Sequence, residues 1–124
     1  MILFICADLL WATRIKSTAE SVGVAARPVR TLEMLEARLA DSPVHALVVD
    51  LEAGDAGIGL IERLRGEGAS DAERAITVLA FGPHVMTDLF ERARASGADR
   101  VVARGGFAAQ LPQILKALDD VATP

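Results

Sequence analysis

This chain of 124 residues is poor in the side chains that most often carry chemistry: it has one cysteine, two histidines and no tyrosine. Thirteen cationic side chains divide into eleven arginines and only two lysines, Lys16 and Lys116. A single cysteine excludes a disulfide framework and any multi-cysteine zinc site. His45 and His84 stand far apart in the chain, so a histidine-rich metal site is not expected either. No apolar run approaches the length of about eighteen residues that a membrane span needs. The opening MILFICAD has no basic flank and reaches an acid at Asp8, so it reads as a strand and not as a signal peptide. A net charge of -4 argues against a chain that coats nucleic acid. What remains is a cytoplasmic globular domain, one unit over 1–124, with 52% hydrophobic residues to build its core. The plain account of the arginine excess is the codon bias of a GC-rich genome, but the excess also restricts where a functional lysine can be.

Short continuous apolar runs alternate with longer periodic segments. The runs are Ile2 to Ala7, Val22 to Val29, Val44 to Val49, Ile76 to Phe81 and Val101 to Ala103. Each is bounded by Gly, Pro or Asp, which predicts strands, and continuous hydrophobicity predicts a parallel sheet covered on both faces. Helical spacing joins Trp11, Ile15, Ala19 and Val22, then Leu32, Leu35 and Leu39, then Leu60, Ile61 and Leu64, then Leu89 and Ala93, then Leu111, Leu115 and Leu118. Gly23 and Gly97 sit where helices would stop. Pro112 belongs to a first turn, so the last helix should start near Ala108, after a Gly105–Gly106 loop. The order βα repeated five times predicts an α/β, flavodoxin-like (βα)5 fold, a doubly wound parallel sheet of strand order 2-1-3-4-5.

In such a sheet the site lies at the carboxyl ends of the strands, next to the switch in strand order. Strand one ends in Cys6-Ala7-Asp8, strand three in Val48-Val49-Asp50, strand four in Phe81-Gly82-Pro83-His84 and strand five in Ala103-Arg104-Gly105-Gly106. Asp8 and Asp50 should converge from adjacent strands, as a hard cation such as Mg²⁺ requires. Either acid could instead cap the helix that follows it. Cys6 is expected to be a small buried strand residue, since no histidine is predicted beside it. His84 faces the site from a loop, whereas His45 opens strand three at the opposite end and should be structural. Gly54, Gly57 and Gly59 follow strand three at irregular spacing, which suits a flexible connection better than a nucleotide-binding loop.

ILFICAD, HALVVDLE, GIGLIERLR and GADRVVARGGF, in that order and spacing, make the chain from Met1 to Ala122 resemble a response-regulator receiver domain, the chemotaxis-regulator-like phosphoacceptor module of two-component signalling and phosphorelays. The resemblance implies Asp50 as the phosphoacceptor and Mg²⁺ held by Asp8 and Asp50. It also implies a hydroxyl after strand four and a lysine after strand five to bind the phosphoryl oxygens, and an aromatic switch on strand five. The chain departs at most of these points. Ala7 replaces one of the two acids expected after strand one, Gly82 stands at the hydroxyl position and Arg104 at the lysine position. Gly105 replaces the following proline, Val101 or Val102 the aromatic, and Ala53-Gly54 the usual Met-Pro. Neither lysine can substitute, since Lys16 and Lys116 fall in the first and last helices.

Each departure has a physical cost. Losing an acid weakens Mg²⁺ binding. Arginine delivers its charge as a wide planar fork that could pair with Asp50 and fill the phosphate's place. Glycine offers an N–H but no hydroxyl. Phe81 is expected in the core of strand four, or else as a fixed plug over the site.

The first expectation is therefore a degenerate, pseudo-receiver domain. It would not be an enzyme, and it would work by protein–protein contact with aspartyl phosphorylation impaired or absent. The alternatives are a working Mg²⁺-dependent phospho-receiver in which Asp8, Asp50 and Glu52 hold the metal and Arg104 the phosphoryl group, and a flavodoxin-like domain that senses a small metabolite. The expected partner is a protein: a histidine kinase, an output protein or a second copy. It would dock through the face of helix four, strand five and helix five, where Arg92, Arg94, Arg100 and Arg104 gather. That same arginine group also reads as a solvated surface. Neither membrane nor nucleic acid is an expected partner.

Overall fold

The computed structural model describes residues 1–120. Its strands are β1 (Ile2–Ile5), β2 (Ala26–Pro28), β3 (Ala46–Asp50), β4 (Thr77–Gly82) and β5 (Arg100–Ala103). Its helices are α1 (Leu9–Ser21), α2 (Leu32–Asp41), α3 (Asp55–Arg65), α4 (Asp71–Arg74), α5 (Thr87–Ser96), α6 (Arg104–Ala109) and α7 (Leu111–Asp119), with a 3-10 turn at Leu51–Ala53. The five strands form one sheet of order β2-β1-β3-β4-β5 in which every pairing is parallel, as the sequence predicts.

Successive strand residues point to opposite faces, and both faces are covered. Ile2, Phe4, Ala46, Val48, Leu79 and Phe81 pack under α1, α6 and α7, against Trp11, Ile15, Phe107 and Leu115. Leu3, Ile5, Leu47, Val49, Val78 and Ala80 pack on the other side, against Leu35, Ile58, Ile61, Leu64 and Ala93. This is why the strands read as unbroken apolar runs. On the α1 side the Phe81 and Phe107 rings stack at 4.0 Å, with Trp11 tilted 5.2 Å from Phe81. Phe81 is wholly buried in that cluster, so of the two expectations for it the core residue is correct and the plug is not.

The glycines after β3 are not a flexible connection. Gly54 takes φ 61° as the N-cap of α3, and Gly57 and Gly59 lie inside that helix. A Cβ at Gly57 would lie 2.7 Å from Val49 Cγ1, so glycine sets how closely α3 can sit on β3. The end of the chain also differs from expectation. Gly105 and Gly106 belong to α6, which starts directly from β5, and Gln110 separates α6 from α7. Pro112 does fall in the first turn of α7, where its missing N–H costs nothing. The short helix α4 goes unpredicted, although Ser70 and Glu73 close a capping box at its start. Gly97 does terminate its helix as expected, in the left-handed conformation at φ 114°.

One side chain ties the lower end of the α3–β4–α5 layer. Arg65 donates to the carbonyls of Gly97 (3.0 Å), Arg74 (3.1 Å) and Ile76 (2.7 Å), and to Asp99 Oδ2 (2.9 Å). Asp99 Oδ2 in turn accepts the Val78 N–H at 2.7 Å. At the same end of the sheet, His45 Nδ1 lies 3.5 Å from Asp119 and 3.3 Å from the chain's amino group. That is the structural position expected of it.

Candidate functional site

β1, β3, β4 and β5 deliver Asp8, Asp50, Gly82 and Arg104 to the same end of the sheet, because parallel strands in register finish together. The register pairs Asp50 with Phe81, and Gly82 with Ala103. Asp50 has no exposed surface and is the one buried charged residue among those described. Its Oδ2 accepts the Ala7 N–H at 3.0 Å, and its Oδ1 accepts the Glu52 N–H at 3.0 Å. Burial pushes the Asp50 carboxyl above the usual carboxylate range; the two amide hydrogen bonds and the nearby Arg104 charge oppose this, and the Glu52 charge adds to it.

Asp8 serves as the N-cap of α1, its Oδ1 accepting the Trp11 N–H at 2.9 Å. The capping role weighed for Asp8 is therefore real, and one of its oxygens is spent on it. Asp50 likewise caps the 3-10 turn through its bond to Glu52. Cys6 is partly buried near both acids, and burial, with their negative charge, pushes its thiol up to about 12. A thiol held that high stays protonated at neutral pH.

Arg104 does not reach Asp50 by a direct ion pair. Its Nη2 meets Glu52 Oε1 at 2.5 Å. Its Nε is buried and makes no hydrogen bond to any described residue. Glu52, a third metal ligand in the working-receiver alternative, is paired here with Arg104. The residues after β3 fold back in a tight turn, and this brings Glu52 toward the start of α6. Gly82 is buried, and a Cβ placed there would lie 3.1 Å from Leu51 Cβ and 3.5 Å from Phe90 Cε1. Leu51 and Phe90 therefore take up space that a longer side chain at that position would need. His84 and Val85 are exposed in the loop that follows, and His84 makes no contact with the acids.

Mg²⁺ commonly takes one or two carboxylates from a protein and fills its octahedron with water or phosphate oxygens. Asp8 and Asp50 supply two such carboxylates, each already accepting amide hydrogen bonds. No group of three metal-ligating side chains exists among the described residues. The donor set fits a weakly held hard cation and nothing more elaborate.

Of the four arginines gathered by the sequence reading, Arg92 is tied to Asp55 at 2.9 Å and Arg104 to Glu52, while Arg94 and Arg100 are exposed. No helix among the described residues is long and apolar enough to cross a membrane.

No protein-family model matches the sequence, and no curated protein matches it. Solved structures do. A response regulator receiver protein from Pseudoalteromonas atlantica superposes with a TM-score of 0.76 at 12% identity, covering 98% of each chain. The receiver domain of a sensor histidine kinase from Pseudomonas aeruginosa PAO1, which has a magnesium ion coordinated in its active-site cleft, gives 0.75 at 18% identity over 94% of each chain. A response regulator from Burkholderia pseudomallei, with a phosphorylated aspartic acid, calcium ion and citrate, gives 0.68 at 21% identity, covering 99% of this chain and 74% of that one. The chain has the receiver-domain fold. At these identities the likeness is one of fold, and the receiver-fold positions named above rest on register and strand ends. On that fold Asp50 ends β3, and the residues around it are Ala7, Glu52, Gly82 and Arg104.

Proposed function

We propose that this receiver-fold domain is of the degenerate kind: a cytoplasmic signalling module, not an enzyme, that acts by contact with a protein partner while aspartyl phosphorylation at Asp50 is impaired or absent. The observation that carries the reading is the Arg104–Glu52 ion pair beside a carboxylate whose two oxygens already accept the Ala7 and Glu52 amides. Phosphoryl transfer depends on positioned cations and on charge neutralisation. Here the cation is engaged elsewhere, and Gly82 has no hydroxyl to follow the charge. Burial also favours the neutral acid, the weaker nucleophile. The partner, a histidine kinase, an output protein or a second copy, would dock on α5, β5 and α7, where Arg94 and Arg100 are exposed.

One observation favours the second reading, a working phospho-receiver. The buried Nε of Arg104 is an unused donor on a side chain whose charge acts on Asp50, and a phosphoryl oxygen would satisfy it. Titration with Mg²⁺ and beryllofluoride, read by amide shifts of Asp50, Gly82 and Arg104, separates the two. The degenerate reading expects no saturable shifts. Saturable shifts that disappear in Asp50→Asn would overturn it.

A further inference from the structure

A cavity of about 350 Å³ opens between α1 and the edge strand β2. Its apolar wall is Phe4, Leu9, Ala12 and Pro28, and its polar rim includes Lys16 and Arg30. Through Phe4, Leu9, Ala12, Pro28 and Arg30 it is continuous with a cleft of about 490 Å³ that reaches Asp8 and Glu52 at the strand ends. Both volumes fall within the few hundred to a thousand Å³ typical of small-molecule sites, and the cleft sits beside the β1/β3 switch in strand order. Leu9 is 72% exposed, a large apolar surface left in water on the lip of the cavity.

The charges around this space are unevenly matched. Glu52 is paired with Arg104 and Glu20 with Lys16 at 3.9 Å, while Asp8, which lines the adjoining cleft and not this cavity, accepts one amide from the start of α1. Lys16 Nζ also donates to the Ala26 carbonyl at 3.3 Å, which holds it at the sheet edge. Arg30 is exposed and has no ion-pair partner among the described residues. In a chain of net charge -4, the one unmatched charge on this apolar cavity is positive.

We infer that the α1–β2 cavity is a binding site for a small amphipathic carboxylate, its hydrocarbon part on Phe4, Leu9, Ala12 and Pro28 and its anionic end on Arg30. An apolar body buries against the wall, and the carboxylate takes the guanidinium's bidentate donors. The site does not include Asp50, so the inference stands apart from the phosphorylation state proposed above.

The test titrates the whole chain with sodium octanoate, and in parallel with octylamine, following the amide resonances of Ala12, Thr13, Lys16 and Arg30. Octanoate should give saturable shifts confined to this region, with octylamine at least about threefold weaker. Arg30→Ala, a surface change, should weaken octanoate by a similar factor and should not weaken octylamine, and Asp50→Asn should leave both unchanged. Ala12→Phe, which fills the cavity, should abolish binding while the circular dichroism spectrum is retained. Absence of saturable shifts, equal affinity for acid and amine, or indifference to Arg30→Ala would each overturn the inference. So would shifts that follow protein concentration without ligand, which would put a second copy in the groove.

Discussion

Three glycines should respond to the same small addition with different signs, and one of them decides how firmly the hydroxyl is excluded from the site. Gly59 lies inside α3 with nothing within 4 Å of an added Cβ. Gly59→Ala should stabilise by about 0.5–1 kcal/mol, the ordinary helix-propensity difference. Gly57, two residues earlier, would push its Cβ to 2.7 Å from the buried Val49 Cγ1. Overpacking a core costs about 1–3 kcal/mol, so even after the propensity gain Gly57→Ala should lose about 1–2 kcal/mol. At Gly82 the contact is 3.1 Å to Leu51 Cβ, an atom close to the backbone that cannot rotate away. Reduced freedom of the unfolded chain returns about 0.4–1 kcal/mol, so Gly82→Ala and Gly82→Ser should lose about 0.5–2 kcal/mol. In a domain of this size each kcal/mol moves the melting temperature by roughly 3–5 °C. Thermal unfolding followed by circular dichroism and by the fluorescence of the single tryptophan, Trp11, measures all four variants. Gly82→Ala as stabilising as Gly59→Ala would refute the packing argument. Gly82→Ser that melts near the parent and answers Mg²⁺ with beryllofluoride where the parent does not would show that a hydroxyl at this position is enough for a response.

Two further outcomes follow from particular contacts. Gly97 carries both a positive φ and a Cβ position 2.5 Å from Arg65 Cγ, so Gly97→Ala should cost less in an Arg65→Ala background than in the parent. Arg65→Ala alone should lose about 2–4 kcal/mol by stranding carbonyls and Asp99; additive losses in a urea-denaturation cycle would count against the clash. Asp50 has a folded pKa raised above its unfolded value, so its contribution to stability is full at low pH and is lost as pH rises through the folded pKa. The stability of the parent minus that of Asp50→Asn should therefore fall as pH rises from about 4, the ordinary carboxylate value. A flat or rising difference in urea titrations would contradict the dominance of burial.

The fold was legible because its dictating feature is one-dimensional. A parallel sheet covered on both faces needs continuous apolar strands, and the runs at 2–7, 44–49 and 76–81 could hardly be anything else between amphipathic segments. What misled was glycine. Gly57, Gly59, Gly105 and Gly106 read as loop, yet all four lie in helices. Tertiary packing overrode propensity at Gly57, where Val49 leaves no room for a side chain. The capping box at Ser70 and Glu73 was a readable signal for α4 that apolar periodicity, absent in four residues, does not pick up.

The site divides along the same line. Which stretches arrive at the strand ends follows from element order and points to Asp8 and Asp50, whereas Gly82 and Arg104 are singled out within those stretches only by the receiver resemblance. Whom each one faces depends on the path of a turn. The fold-back at Leu51–Ala53 carries Glu52 to Arg104 and sets its amide on Asp50. No spacing rule encodes that turn, and it is what gives Arg104 its carboxylate partner. The scarcity of lysine has the same meaning in three dimensions: Lys16 lies at the β2 edge and Lys116 in α7, so the cation beside Asp50 has to be an arginine. An arginine's fork can hold Glu52 with one nitrogen and still leave Nε without a partner, which a lysine's single ammonium could not do.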